Sequence, residues 1–154
     1  MINPFTAWSR LVAAQAIMAG SSIRTAETLA ASLSVIEKRT ATMRAALADP
    51  LMADHAELGR MVPEKITAFS HAGEALASGM LAWNRAVLTE AQHLGMITSR
   101  GRAPTLGEWL ELAARAAEFT VAASERTARV GADALAPVHA IATANARRLR
   151  RRQR

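Results

Sequence analysis

Large apolar residues in the first third of the chain recur every seven positions. Phe5, Val12, Ala19, Ala26, Leu33, Thr40 and Leu47 form one row, and Trp8, Gln15, Ser22, Leu29, Ile36 and Met43 form a second row three residues later. Spacings of three and four place both rows on one side of a helix, where they can cover another helix or any apolar surface. Gln15, Ser22 and Thr40 are polar, so this is a weak coiled-coil seam. A second seam runs Ile66, Phe69, Gly73, Leu76, Met80, Trp83, Val87, Ala91 and Leu94, and a third carries Trp109, Leu112, Ala116, Phe119 and Ala123. No segment of useful length alternates with period two, and no internal repeat is evident.

Punctuation sets the limits of these helices. Asn3-Pro4 predicts a capped start, and nothing stops the first helix before Asp49-Pro50 except Gly20 and two serines, which weaken it. Asp54 and Glu57 are spaced as a capping box for a short helical turn over Ala53 to Met61. Pro63 and Glu64 then open a second long helix, with Pro63 in its first turn. Thr98 to Pro104, with Gly101, reads as a loop. Thr105 and Glu108 form a capping box for a third long helix, which carries the acid-first pairs Glu111/Arg115 and Glu125/Arg129 and which Pro137 should kink. Short connections imply antiparallel neighbours. The expected fold is all-α: an elongated antiparallel bundle of three long Ala-rich amphipathic helices plus one short helix, with coiled-coil-like packing.

Composition makes these seams unusual. Of 154 residues, 36 are Ala, 51% are apolar and only 4% are aromatic. Alanine buries little area per residue, so oligomerisation or adsorption would add stability. The net charge of +6 comes from the end of the chain: six of the 19 basic residues are Arg147, Arg148, Arg150, Arg151, Arg152 and Arg154. The other 13 balance the 13 acidic residues. The chain thus divides into a neutral helical domain, 1–146, and an Arg-rich tail, 147–154. The tail reads as a solvated end, as a weak, non-specific anchor for nucleic acid, or as a contact for acidic membrane or granule components.

Cysteine is absent, which fits a reducing cytoplasm. No basic n-region precedes the first apolar stretch, and the longest uncharged runs, Leu11 to Ile23 and Ala134 to Ala146, are too short to span a bilayer. Glu90 and His93 have half of a carboxylate-bridged metal motif, but His71 and Glu74 are in reversed order and no second pair completes it. No nucleophile turn, phosphate loop or dinucleotide fingerprint is present. The expectation is a protein without catalytic residues, metal or cofactor, whose working parts are a hydrophobic surface or packing face: Phe5, Trp8, Leu29, Leu33, Ile36 and Met43, with Phe69, Leu76, Met80 and Trp83.

The segments SLSVIEKRTATMRAAL (Ser32 to Leu47) and DPLMADHAELGRMVPEKITAFSHAG (Asp49 to Gly73) resemble the phasin family of bacterial polyester-granule proteins. The similarity lies in the order of a long first helix, a Val-Pro-Glu-Lys helix start and a further Ala-rich helix. It implies a non-catalytic structural protein that coats polyhydroxyalkanoate storage granules in the cytoplasm and forms homo-oligomers. Two other readings stand beside it: a nucleoid- or nucleic-acid-associated helical protein held by the Arg tail, and a generic helical interaction module.

Overall fold

The computed structural model describes residues 3–151. Three long helices account for nearly all of it: α1 (Pro4–Ala48), α2 (His55–Thr98) and α3 (Leu106–Arg151). A single 3-10 turn, Pro50–Met52, follows α1. At 1.5 Å per residue each helix is about 65–70 Å long. The start of α1 is as expected: the Asn3 side chain accepts a hydrogen bond from the Phe5 amide (2.9 Å), and Pro4 occupies the first turn. At the other turn, Thr105 and Glu108 form a reciprocal capping box, with Thr105 N donating to Glu108 (2.7 Å) and Glu108 N donating to Thr105 Oγ1 (3.3 Å). Gly101, with φ of +68°, supplies the left-handed residue of that loop.

Two expected boundaries are different. The turn expected over Ala53 to Met61 is no separate helix but the first part of α2, which starts at His55 under an Asp54 cap (Glu57 N to Asp54 Oδ1, 2.9 Å). Pro63 therefore lies inside α2, where its missing N–H removes only one backbone hydrogen bond near the helix start. The expected tail is likewise helical as far as Arg151, and α3 runs continuously through Pro137.

The directions are those of an antiparallel arrangement, but the neighbours differ from a bundle in which every helix touches both others. Helix α3 lies in the middle and packs against both others, whereas α1 and α2 make few contacts of their own. Arg10 meets Glu125, Thr28 meets His139, and Ala31 and Val35 meet Ala146 and Leu149, so α1 runs parallel to α3. Glu57 and Glu64 meet Arg148, and Glu90 meets Arg115, so α2 runs antiparallel to α3. The result is an open layer of three helices rather than a closed bundle.

Small residues explain this choice of neighbours. The face of α1 turned to α3 includes Ala14, Thr28, Ala31 and Val35, and that of α2 includes Ala68, Ala72 and Gly79. Short side chains let the backbones approach closely. A Cβ built on Gly79 would lie 2.4 Å from Val130 Cγ2. Val130 is β-branched and has little rotamer freedom in a helix, so it cannot yield cheaply. By contrast, a Cβ on Gly73, two turns earlier, meets nothing within 4 Å. Gly73→Ala should therefore raise stability by about 0.5–1 kcal/mol through helix propensity. Gly79→Ala should lower it by about 1–2 kcal/mol through overpacking, and Val130→Ala should restore the loss. Urea unfolding of the three variants measures both signs.

Candidate functional surface

The bulky seam of α1 does not face α3. Its two rows lie one and two residues from the small row, as Ile36 and Leu33 are from Val35, which is about 100° and 200° around a helix of 3.6 residues per turn. Phe5 is 77% exposed, Leu33 69% and Ile36 60%, while Ala14 keeps only 2% of its surface. Trp8, Leu29 and Met43 are exposed as well. The bulky seam of α2 is one residue away from its buried row, as Phe69 is from Ala68, or about 100°. Phe69, Leu76 and Met80 are exposed, and Leu81 and Leu88 widen the stripe.

Trp83 breaks this pattern. It is half-buried and packs against Phe119 of α3, ring centroids 6.0 Å apart at 46°. Of the residues expected on the apolar face, it is the one that serves the α2–α3 interface.

The consequence is a large surface for the mass. The chain exposes 10,663 Å². A compact monomer of 16.4 kDa would expose about 7,500 Å² by the usual scaling. Much of the excess is apolar side chain, since 24 large hydrophobic residues among those described are exposed.

Charged groups locate the helices along one another. The strongest group joins all three: Glu57, 1% exposed, accepts from Arg39 Nη2 of α1 (3.3 Å) and from Arg148 Nη2 of α3 (2.9 Å). Glu64 also accepts from Arg39, from Arg148 Nη1 (2.9 Å) and from Asn145 Nδ2 (2.8 Å). Burial pushes the Glu64 carboxyl up, but the hydrogen bonds from Arg39 and Arg148 outweigh it and hold the pKa below the ordinary value. A second tie is the two-bonded pair of Arg10 with Glu125 (2.8 and 2.7 Å). A third links Thr28 Oγ1 to His139 Nδ1 (3.1 Å). At the α2–α3 turn, the hydrogen bond from Arg102, then those from Thr105, lower the Glu108 carboxyl to about 2.

The acid-first pairs expected within α3 are used across interfaces. Arg115 reaches Glu90 of α2, and Glu125 takes Arg10 of α1. Glu90 is thereby an ion-pair partner, and no group of three or more metal-ligating side chains occurs among the described residues. In the Arg-rich end, Arg147, Arg150 and Arg151 are exposed, while Arg148 turns inward to Glu57 and Glu64. Arg152 and Arg154 lie outside the described residues. The Arg39–Glu57–Glu64–Arg148 cluster was not legible in the sequence, because its members are spread over three segments and each has an ordinary local role. No helix of the described residues is long and apolar enough to cross a membrane. Comparison with family models, curated proteins and solved structures found no match.

The cluster sets two expectations. Arg39→Met takes one guanidinium away from the buried Glu57 and from Glu64 and should cost about 3 kcal/mol, whereas Arg147→Met on the exposed side should change stability by less than about 0.5 kcal/mol. Because the Glu64 pKa is depressed in the folded state, its contribution is present above the ordinary value of 4.5 and is lost as pH falls through the depressed one. Urea stability should therefore fall below pH 4.5, and Glu64→Gln should make that decline shallower.

Proposed function

We propose that this chain is a phasin-like, non-catalytic structural protein that coats cytoplasmic polyester storage granules through outward-facing apolar stripes. The observation that carries this reading is the inversion of the usual packing, with mainly alanine and glycine between the helices and most of the Phe, Trp, Leu, Ile and Met outside. Burying one large apolar side chain is worth about 1.5–3 kcal/mol, so a row of them supplies ample adsorption energy. The electrically balanced body around the stripes favours an apolar surface over an acidic one. Homo-oligomer formation belongs to the same reading.

The test is binding to polyhydroxyalkanoate beads. The Phe69→Asp/Met80→Asp variant changes two exposed side chains and should keep its helicity. Losing roughly 1 kcal/mol of adsorption at each gives about a 30-fold weaker association. Equal binding of wild type and variant, or tagged protein that stays diffuse in polymer-accumulating cells, would sink the idea.

A second reading rests on the exposure of Arg147, Arg150 and Arg151 on the last turns of α3. In this reading those residues hold nucleic acid non-specifically. Deleting the tail would also remove Arg148 from its buried cluster and Leu149 from the core. The cleaner variant neutralises Arg147, Arg150, Arg151, Arg152 and Arg154 to Gln and keeps Arg148. With four to five phosphate contacts, DNA affinity should drop about 150- to 500-fold between 50 and 200 mM salt. The neutralised variant should lose binding; retention would rule this reading out.

A further inference from the structure

We infer that the outer stripe of α1 is the seam of a symmetric dimer, in which α1 pairs antiparallel with α1 of a second copy at the level of Glu27 and Thr28. The inference deepens the proposed function by dividing the two stripes, yet it concerns the protein in solution and stands apart from any polymer.

Three observations point to a helix as the occupant. The first is period. A strict seven-residue stripe drifts about 20° per heptad around a straight helix, or about 120° over the length of α1. A flat surface would lose contact with one end of so narrow a stripe, whereas a supercoiled partner helix follows it. The α2 stripe holds the same spacing only from Ile66 to Val87 and drifts about 60°. Leu81 and Leu88 widen it, so it suits a flat surface better.

The second is volume. The α1 stripe is large at both ends and small in the middle, where Ala19, Ser22 and Ala26 stand. In the antiparallel register named, Ala26 lies opposite Leu29, Ser22 opposite Leu33 and Ala19 opposite Ile36, so each small residue faces a large one. Of the three polar positions, Gln15 and Thr40 fall opposite each other. Trp8 meets Leu47, and Val12 meets Met43. Moving the register down by one heptad sets Leu33 against Gln15 and Trp8 against Thr40. A parallel pair sets Ala19, Ser22 and Ala26 against their own copies and leaves an under-filled centre. Met18 and Ile23, both exposed, flank the seam beside this small stretch and would help to close it.

The third is area. The register overlaps nearly all of α1, about 63 Å, and a contact strip as wide as a helix then covers roughly 650–750 Å² on each copy. The total of about 1,300–1,500 Å² falls in the range of stable interfaces. The two-fold axis of an antiparallel pair is perpendicular to both helices, so it brings the α2 stripes of both copies to the same side of the layer. A dimer would then present two parallel-lying apolar bands to one surface.

The chain has no cysteine, so single cysteines report the pairing. Ala19→Cys and Ile36→Cys proteins, carrying tags of different size, are mixed, re-equilibrated and oxidised. Cross-linking should be efficient between the two variants and at least 10-fold weaker within either alone. Self-cross-linking of Ala19→Cys would show a parallel pair and overturn the register. Sedimentation provides the second measurement. The wild type should sediment as a dimer, and Leu29→Asp/Leu33→Asp as a monomer of unchanged helicity; a monomeric wild type at micromolar concentration overturns the proposal. A dimer that fails to bind polyester beads refutes the granule reading alone.

Discussion

Close approach of helix backbones through small residues is the constraint on which the rest of this structure depends. Alanine, glycine and threonine on the inner faces let α1 and α2 lie near α3, and at Gly79 the approach leaves no room for a Cβ beside Val130. With small residues filling most of the interfaces, most of the large ones are left facing outward, Val35, Leu149 and the Trp83–Phe119 pair being exceptions. Exposure of the stripes is thus a consequence of the packing.

Faces of alanine have few protrusions to fix how one helix is placed along another. In this chain the placement falls to polar ties spread along α1: Arg10 with Glu125, Thr28 with His139, and Arg39 with Glu57 and Glu64. The buried ion pair of Arg39 with Glu57 contributes little net stability compared with apolar side chains of the same size, but a misaligned neighbour would leave its charges unpaired and would be strongly disfavoured. The cluster at Glu57 has a further effect. It draws Arg148 out of the basic end and into the fold, so only part of the apparent positive tail remains free for an anionic partner.

An open layer with large apolar stripes on α1 and α2 differs from a globular domain in how it meets its surroundings. A closed three-helix bundle would hide the seams and need no partner. Here each stripe has its own shape, long and volume-graded on α1, shorter and broadened by Leu81 and Leu88 on α2, and the two shapes would suit different occupants. Self-association through one and adsorption through the other would let the same fold tile a hydrophobic surface.

Much of the local structure was legible along the chain. Asn3-Pro4, Thr105 with Glu108, and the seven-residue rows give three long helices, because capping and periodicity act over a few residues. Helix α2 begins earlier than Pro63 implied, since the Asp54 cap and the buried Glu57 hold the turns that precede the proline. What the sequence by itself determined is the helices and the two faces of each. Only the tertiary structure decided which face turns inward, that α3 lies between α1 and α2, and that Trp83 belongs to an interface. The physical reason is that large and small stripes can each pack helices. The choice between them depends on how near three backbones come and on ion pairs between residues far apart in the chain.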